Sequence, residues 1–165
     1  MSDGLPFPLD VAIVVEHPGW TGEDEALARK VLEAALPLAG YGIDGPCEIS
    51  VLLTGDVGQK ALNTRWRGKE SSTNVLSFPQ LGEDDAIEGL LGDLSLAYET
   101  VAREAEEQDK PFEAHFAHLL THGLLHLLGY DHETRQEALA MEAIETDILA
   151  RLGYPDPYGG EEPED

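Results

Sequence analysis

Histidines are concentrated in one short part of this chain, where their spacing suits metal binding. Five of the six lie between residues 115 and 132, and on a helix those at 115, 118, 122 and 126 would fall within about 80° of one another. His122 and His126, four residues apart, can each point an imidazole nitrogen at the same ion. Gly129 favours a helix end, after which the chain can return His132 as a third ligand. Three neutral imidazoles leave a fourth position for water, so the pattern predicts one catalytic Zn²⁺ per chain.

The same histidines also have a purely structural interpretation. A pair at i and i+4 alone is compatible with buried, hydrogen-bonded side chains on a helix face. The third histidine, behind a glycine-containing turn, is what favours metal binding. After three histidine ligands, one zinc ion has a single open position, so it cannot also bind both His115 and His118. We interpret them as groups that contact the ligands or bind the substrate, with simple helix packing as the alternative.

Gly123 limits the chemistry that such a site performs. The spacing H-x3-H-x2-G-x2-H of residues 122–132 is the one with which metzincin proteases hold zinc. Those proteases carry a general-base glutamate directly after the first histidine, where this chain has Gly123. The glycine counts against peptide hydrolysis by that route, although a glutamate from elsewhere in the chain can substitute. A metalloprotease or another metallohydrolase therefore stays an alternative.

The chain is strongly acidic, but its few bases are not evenly spread. Thirty-three acidic residues face ten basic ones, and the formal net charge of −23 repels nucleic acid and anionic membranes at long range. Four of the ten bases nevertheless lie within ten residues, at Lys60, Arg65, Arg67 and Lys69. This basic cluster is either a solvated helix end with counter-charges nearby or a local binding site for an anion.

Apolar patterns predict four strands and five helices in the order β-α-β-α-β-β-α-α-α. The strands are predicted at 9–15, 47–54, 73–79 and 90–97. The helices are predicted to follow caps at Thr21 and Asp56, and then to span about 98–108, 111–128 and 133–152. This order predicts an α+β fold, a single domain in which a small mixed four-stranded sheet packs against about five helices, one of them a zincin-like metal helix. We expect the domain to span residues 1–153 and the acidic residues 154–165 to form a disordered tail.

The composition favours a cytoplasmic protein with no membrane partner. The first residues, MSDGLPFPLDVAIVV, have no basic region before their apolar run, so they do not predict a signal peptide. No apolar stretch of the sequence is long enough to span a bilayer. Cys47 is the only cysteine, which excludes an internal disulfide and favours a reducing compartment.

Three segments of the chain match motifs of one known protein family. HGLLHLLGYDH (122–132) resembles the H-G-x-L-H-L-x-G-Y-D-H signature of the YbeY family of bacterial metal-dependent endoribonucleases, and the preceding EAHFAHLLT resembles its A-H-x-A-H lead-in. LNTRWRGKESSTNVLSFP (62–79) resembles its L-N-x-x-[WY]-R-x-K-[DE]-x-x-T-[DN]-V-L-S-F-P segment. LLGDLSLA (90–97) resembles its L-G-D-[IL] strand. These matches cover most of residues 60–150, so chance does not explain them.

The resemblance implies a zinc-dependent enzyme that acts on RNA. It implies zinc held by His122, His126 and His132, and an Arg67 that contacts RNA phosphate. Lys69, from the same basic cluster, is a further candidate for binding the substrate. It implies a single-strand-specific endoribonuclease that processes ribosomal RNA, matures the 3′ end of 16S rRNA and takes part in small-subunit quality control. The expected partners are ribosomal RNA, the small ribosomal subunit and an assembly GTPase.

Phosphodiester cleavage is the reaction that these residues suit best. Zinc polarises a phosphoryl oxygen and lowers the pKa of a bound water to roughly 7, and the Arg67 guanidinium can neutralise charge that develops on the phosphate. Asp131 either orients a ligand or moves a proton, or is a turn residue that bonds its own backbone. Trp66, Phe78 and Tyr130 are candidates for stacking on bases, although core packing is the favoured role for Phe78. A non-catalytic assembly factor whose zinc only stabilises the fold is a third alternative.

Overall fold

The computed structural model describes residues 7–68, 73–82, 84–130 and 133–158 of the chain. Within these residues the strands are β1 (Leu9–Val15), β2 (Cys47–Thr54), β3 (Val75–Pro79) and β4 (Gly89–Ala97). The helices are α1 (Gly22–Ala35), α2 (Asp56–Arg67), α3 (Tyr98–Glu107), α4 (Phe112–Leu127) and α5 (Arg135–Arg151), with a short 3-10 helix at Leu36–Leu38. None of the described helices is long and apolar enough to cross a bilayer. The predicted order of strands and helices is confirmed.

Helix starts follow from local side-chain chemistry. α1 begins with a capping box in which the Thr21 hydroxyl accepts from the Asp24 N–H and the Asp24 carboxylate accepts from the Thr21 N–H. α5 begins with the same kind of box, with Thr134 as its cap. α2 differs from the prediction, because Gly55 occupies the capping position and Asp56 is the first helical residue. The acid still lies in the first turn, where the helix dipole favours negative charge.

The sheet has the strand order β1-β2-β4-β3. β1 pairs in parallel with β2, and β2 pairs in parallel with β4. β3 pairs antiparallel with β4 and lies at the edge of the sheet. Parallel neighbours require crossover connections, and α1 supplies the one between β1 and β2. A mixed four-stranded sheet with five α-helices confirms the α+β class that we predicted.

α4 is the central helix of the fold. It packs against α1, α3 and α5 and against the strands β3 and β4. Most of its residues are buried, and Phe116, Leu120 and Leu124 are fully enclosed in the main hydrophobic core. Burial of each such side chain stabilises a fold by about 1.5–3 kcal/mol, so α4 is held firmly against the sheet. A helix fixed in this way is a rigid support for a site on its remaining face.

Residues 154–158, which we assigned to the tail, pack against the helices. The Tyr154 hydroxyl donates to the Glu113 carboxylate at 3.4 Å. The Lys110 ammonium donates to the Pro157 carbonyl at 2.8 Å. The packed part of the chain therefore extends at least to Tyr158. Residues 159–165 lie outside the described residues, and the disordered tail stays a prediction there.

Candidate functional site

The end of α4 is shaped by the residues that follow it. The Gly129 N–H donates to the His126 carbonyl, and the Tyr130 N–H donates to the Leu125 carbonyl, both at 3.0 Å. This is the Schellman arrangement, in which the residue after the helix cap adopts a left-handed conformation, and Gly129 does so with a φ of 102°. The same turn places the Tyr130 carbonyl 3.0 Å from His126 Nδ1. The predicted helix end at Gly129 is confirmed.

His122 and His126 point one ring nitrogen each at the same place. Their Nε2 atoms are 3.1 Å apart. His126 Nδ1 donates to the Tyr130 carbonyl and His122 Nδ1 donates to the Glu145 carboxylate, so each neutral ring keeps an unprotonated Nε2. Two nitrogen lone pairs at this distance repel each other unless a proton or a metal ion lies between them. Nitrogens about 2.0–2.1 Å from one tetrahedral zinc ion lie about 3.3 Å apart, so this pair fits two ligands of such an ion.

Three predicted participants lie outside the described residues. Asp131 and His132 follow Tyr130 directly, and Lys69 follows the end of α2. His132 as the third ligand, Asp131 as a catalytic group and Lys69 as a substrate-binding group therefore stay predictions. Among the described residues alone, no three histidine, cysteine or acidic side chains converge as a metal site.

Glu145 of α5 is a fully buried carboxylate behind the histidine pair. Its Oε2 accepts from His122 Nδ1, and its Oε1 accepts from His118 Nε2 at 3.3 Å and from the Tyr158 hydroxyl. Burial alone would raise the pKa of Glu145, but the hydrogen bonds from His118, His122 and Tyr158 outweigh it and lower the pKa to about 2. An ionised Glu145 fixes His122 in the tautomer that a metal requires.

His118 and Tyr158 complete the polar group around Glu145. His118 Nε2 lies 3.2 Å from the Tyr158 hydroxyl, which accepts from it while donating to Glu145. Burial raises the pKa of Tyr158, and the hydrogen bond to Glu145 raises it further, so the hydroxyl stays protonated and remains a donor. His118 therefore contacts the carboxylate that orients His122. A contact between His118 and the substrate stays a prediction.

His115 forms a separate buried pair near the start of α4. Its Nε2 lies 2.9 Å from Glu104 Oε1, and the same oxygen accepts from Asn74 Nδ2 at 2.9 Å. Burial lowers the pKa of His115, and the hydrogen bond with Glu104 opposes that shift. The side chain is only 4% exposed, so packing and the Glu104 contact account for its position. A contact between His115 and the substrate stays a prediction.

One cleft of about 790 Å³ brings these groups together with Arg67. The Arg67 guanidinium donates to the Ser77 carbonyl and lies 5.2 Å from the centre of the Phe78 ring. Pro157 and Tyr158 form another part of the wall. The predicted site residues that line the cleft are Arg67, His115, His118, His122, His126 and, of the candidates for base stacking, Tyr130.

Gly123 faces the sheet and not the cleft. A Cβ atom at this position would lie 2.8 Å from Leu94 Cδ2 and 3.4 Å from Ser77 Oγ. The Ser77 hydroxyl also donates to the Gly123 carbonyl at 3.4 Å. The glycine therefore permits the close approach of α4 to β3 and β4. A glutamate there would push α4 away from the sheet, so the position is not available to a protease-type base.

Sequence reasoning missed Glu145 and Tyr158. The buried residues of α5 are Met141, Glu145, Ile148 and Leu149. Glu145 lies four residues after Met141 and therefore on the same buried face of α5. That position was the available signal, because a charged side chain on a buried face requires partners. Tyr158 offers no local signal, since its partners Glu145 and His118 are 13 and 40 residues away in the sequence.

Comparison with known proteins identifies the family. The profile of the Endoribonuclease YbeY family matches residues 20–153. The chain belongs to this family. Endoribonuclease YbeY of Bradyrhizobium sp. strain BTAi1 is 50% identical over 166 residues, which cover 95% of this chain and 96% of that protein. Endoribonuclease YbeY of Agrobacterium fabrum is 48% identical over 164 residues, with 94% and 98% covered.

A solved structure agrees with the fold. The solution structure of TM1509 from Thermotoga maritima superposes with a TM-score of 0.58 at 23% identity, and the match covers 94% of this chain and 99% of that one. At this identity the likeness concerns the fold alone. The YbeY membership that three sequence segments predicted is confirmed, and the family's name states an RNA-cleaving activity.

Proposed function

We propose that this chain is a metal-dependent endoribonuclease that acts in ribosomal RNA processing. The observation that carries the proposal is one cleft that holds the facing Nε2 atoms of His122 and His126 together with the Arg67 guanidinium. A metal and a cation suit phosphodiester cleavage because negative charge develops on the phosphate oxygens as the bond breaks. YbeY relatives named as endoribonucleases support the same reaction.

Zinc is the cofactor that this ligand set suits best. His122, His126 and His132 would hold one ion per chain through neutral imidazoles. When bound, zinc polarises a phosphoryl oxygen and makes a water molecule more acidic. Glu145 and the Tyr130 carbonyl each accept a hydrogen bond from an Nδ1–H, and these contacts would leave both Nε2 atoms available to the ion.

Arg67 is proposed to bind the phosphate at the point of cleavage. The Ser77 carbonyl and the Phe78 ring hold the guanidinium in place, although the side chain remains exposed. A guanidinium has five N–H donors, so this anchoring leaves donors for a phosphate. Lys69 is expected to bind the same strand, and Asp131 is expected to orient a ligand or to move a proton.

The proposed substrate is single-stranded ribosomal RNA, cleaved during maturation of the 3′ end of 16S rRNA and in small-subunit quality control. Trp66 is 61% exposed beside Arg67 and offers a surface on which an unpaired base can stack. The net charge of −23 weakens the binding of free RNA. We therefore propose that the small ribosomal subunit, together with an assembly GTPase, presents the RNA to the enzyme in the cytoplasm.

Cleavage of a 3′-extended small-subunit ribosomal RNA tests this proposal. The wild-type chain is compared with a folded His122→Ala variant, and the zinc content of both is measured. We expect cleavage by the wild type alone. Equal cleavage by both proteins would place the activity outside this site. If neither cleaves, even with small subunits and an assembly GTPase added, the proposal is wrong and a zinc-bearing assembly factor is favoured.

A further inference from the structure

Residues 154–158 form a segment that returns from the end of α5 to the candidate metal centre. The Tyr154 N–H donates back to a carbonyl of α5 at 2.8 Å, in the turn that ends the helix. The Thr146 hydroxyl lies 3.3 Å from the Asp156 carboxylate, so the segment runs back along α5. Its last residues, Pro157 and Tyr158, reach α4 and line the cleft.

Several contacts fix Tyr158 in this position. The Lys110 ammonium donates to the Pro157 carbonyl at 2.8 Å. The Tyr158 N–H donates to the Asp156 carboxylate at 2.8 Å, which closes a local turn. The phenol ring packs edge-on against His118, with ring centres 5.4 Å apart. Because backbone, ring and hydroxyl are all engaged, Tyr158 has few alternative positions.

The Tyr158 hydroxyl acts on the histidine pair through Glu145. Three groups donate to the Glu145 carboxylate, and the hydroxyl is one of them. A fully buried carboxylate needs its donors, since each lost hydrogen bond leaves desolvated charge without compensation. A Glu145 that lacks one donor on Oε1 is therefore expected to turn, and His122 Nδ1 then loses its acceptor.

We propose that Tyr158 is a positioning residue of the metal centre. It holds Glu145 in the orientation that keeps the proton of His122 on Nδ1, and Nε2 is thereby available to the metal. The inference rests on the proposed function, and it adds to the site a residue from segment 154–158, outside the three segments that carry the family resemblance.

Zinc affinity of Tyr158→Phe tests the inference, because this change removes only the hydroxyl. Affinity is measured by competition with a chromophoric chelator. We expect about a 10-fold loss, at the lower end of the range for groups that hold a metal ligand in place. Tyr154→Phe is the matched control, since it removes a hydroxyl from the same segment whose partner, Glu113, does not line the cleft. We expect wild-type affinity from this control.

A second measurement does not require the metal. Nitrogen NMR of the imidazoles in the zinc-free protein reports which ring nitrogen of His122 carries the proton. Tyr158→Phe should move the Nδ1 signal and increase the Nε2-protonated form, whereas Tyr154→Phe should change neither.

The two measurements distinguish a failure of this inference from a failure of the proposed function. Wild-type zinc affinity and an unchanged His122 tautomer in Tyr158→Phe would overturn the inference. Equal losses of affinity in Tyr158→Phe and Tyr154→Phe would overturn it as well, because they would reflect general loosening of the segment. A wild-type chain that binds no zinc would contradict the proposed function instead, and the NMR comparison would still decide the role of Tyr158.

Discussion

His122, a proposed metal ligand, shows how the orientation of a site residue depends on side chains from distant parts of the chain. Its pairing with His126 follows from local helical spacing, so it could be predicted from the sequence. Its partner Glu145 is 23 residues away on another helix, and Tyr158 supports Glu145 from beyond that helix. These contacts arise from the packing of α5 against α4, which no local pattern encodes. The facing histidine pair was therefore predictable, whereas the contacts through which Glu145 and Tyr158 orient His122 were not.

Substitutions of Arg67 and Arg65 can distinguish a specific contact with phosphate from a general effect of charge on RNA cleavage. We expect Arg67→Glu to lower RNA cleavage by about 100-fold or more while zinc content is unchanged, because it removes a cation at the developing charge. Arg65→Glu is the control, since Arg65 lies 5.2 Å from the Trp66 ring on the same turn and does not line the cleft. Arg65→Glu should lower RNA cleavage by less than about 10-fold. Equal losses, or loss of zinc from Arg67→Glu, would contradict the role assigned to Arg67.

Tryptophan fluorescence can detect a base contact at Trp66, because the other tryptophan of the chain, Trp20, is buried. Trp20 is 5% exposed and its indole N–H donates to the Thr54 carbonyl, whereas Trp66 is 61% exposed. We expect a single-stranded oligoribonucleotide to quench the fluorescence of Trp66 because a base stacks on the indole. Trp66→Phe should abolish the quenching and weaken RNA binding by about 10-fold or less. Quenching that persists in this variant would exclude the stacking contact.

At the scale of the elements, the ends of the helices could be predicted from the sequence more completely than the order of the strands in the sheet. The capping box at Thr21 and the glycine turn after α4 are local signals, and the corresponding helix limits agree with the structure. The strand order β1-β2-β4-β3 depends on long-range pairing, and the sequence pattern did not predict which strand forms the edge. That edge matters for the site, because β3 lines the cleft opposite α4.

Gly92 lies where β4 passes close to both β3 and α4. A Cβ atom there would lie 2.5 Å from the Phe78 carbonyl oxygen and 2.7 Å from Leu127 Cδ2, and its φ is 152°. We expect Gly92→Ala to lower the free energy of unfolding by about 2–4 kcal/mol, because backbone atoms would have to move. Gly22→Ala, where nothing lies within 4 Å, should change it by less than about 1 kcal/mol. Chemical denaturation measures the free energy of unfolding of both variants. Similar values would contradict the close approach of β4 to β3 and α4 at Gly92.

At the scale of the whole molecule, an enzyme with a net charge of −23 is proposed to cleave a polyanion. The basic side chains at the end of α2 provide a local attraction, whereas the remaining acidic surface repels RNA. Salt screens both effects, and they change binding in opposite directions. The composition predicted this conflict, but only the fold shows that Arg67 lines the same cleft as the histidine pair.

The salt dependence of cleavage follows from this balance. We expect kcat/KM for a short oligoribonucleotide to fall by less than about 10-fold between about 20 and 150 mM salt, because few phosphates are neutralised and the repulsion is relieved. A basic ribonuclease assayed in the same buffers serves as the reference. A loss of more than about 100-fold would indicate an extensive basic surface and would contradict a contact limited to Arg67 and its neighbours.

The hydrogen bond from Arg67 to the Ser77 carbonyl has a consequence for self-association. β3 is an edge strand of five residues, and such edges can pair with strands of other molecules and start aggregation. The strand ends at Pro79, which has no N–H, and the Arg67 guanidinium already occupies one of its acceptors. The side chain proposed to bind phosphate therefore also protects the edge of the sheet. Loss of Arg67 should make the protein more prone to form oligomers through β3, in addition to its effect on RNA cleavage.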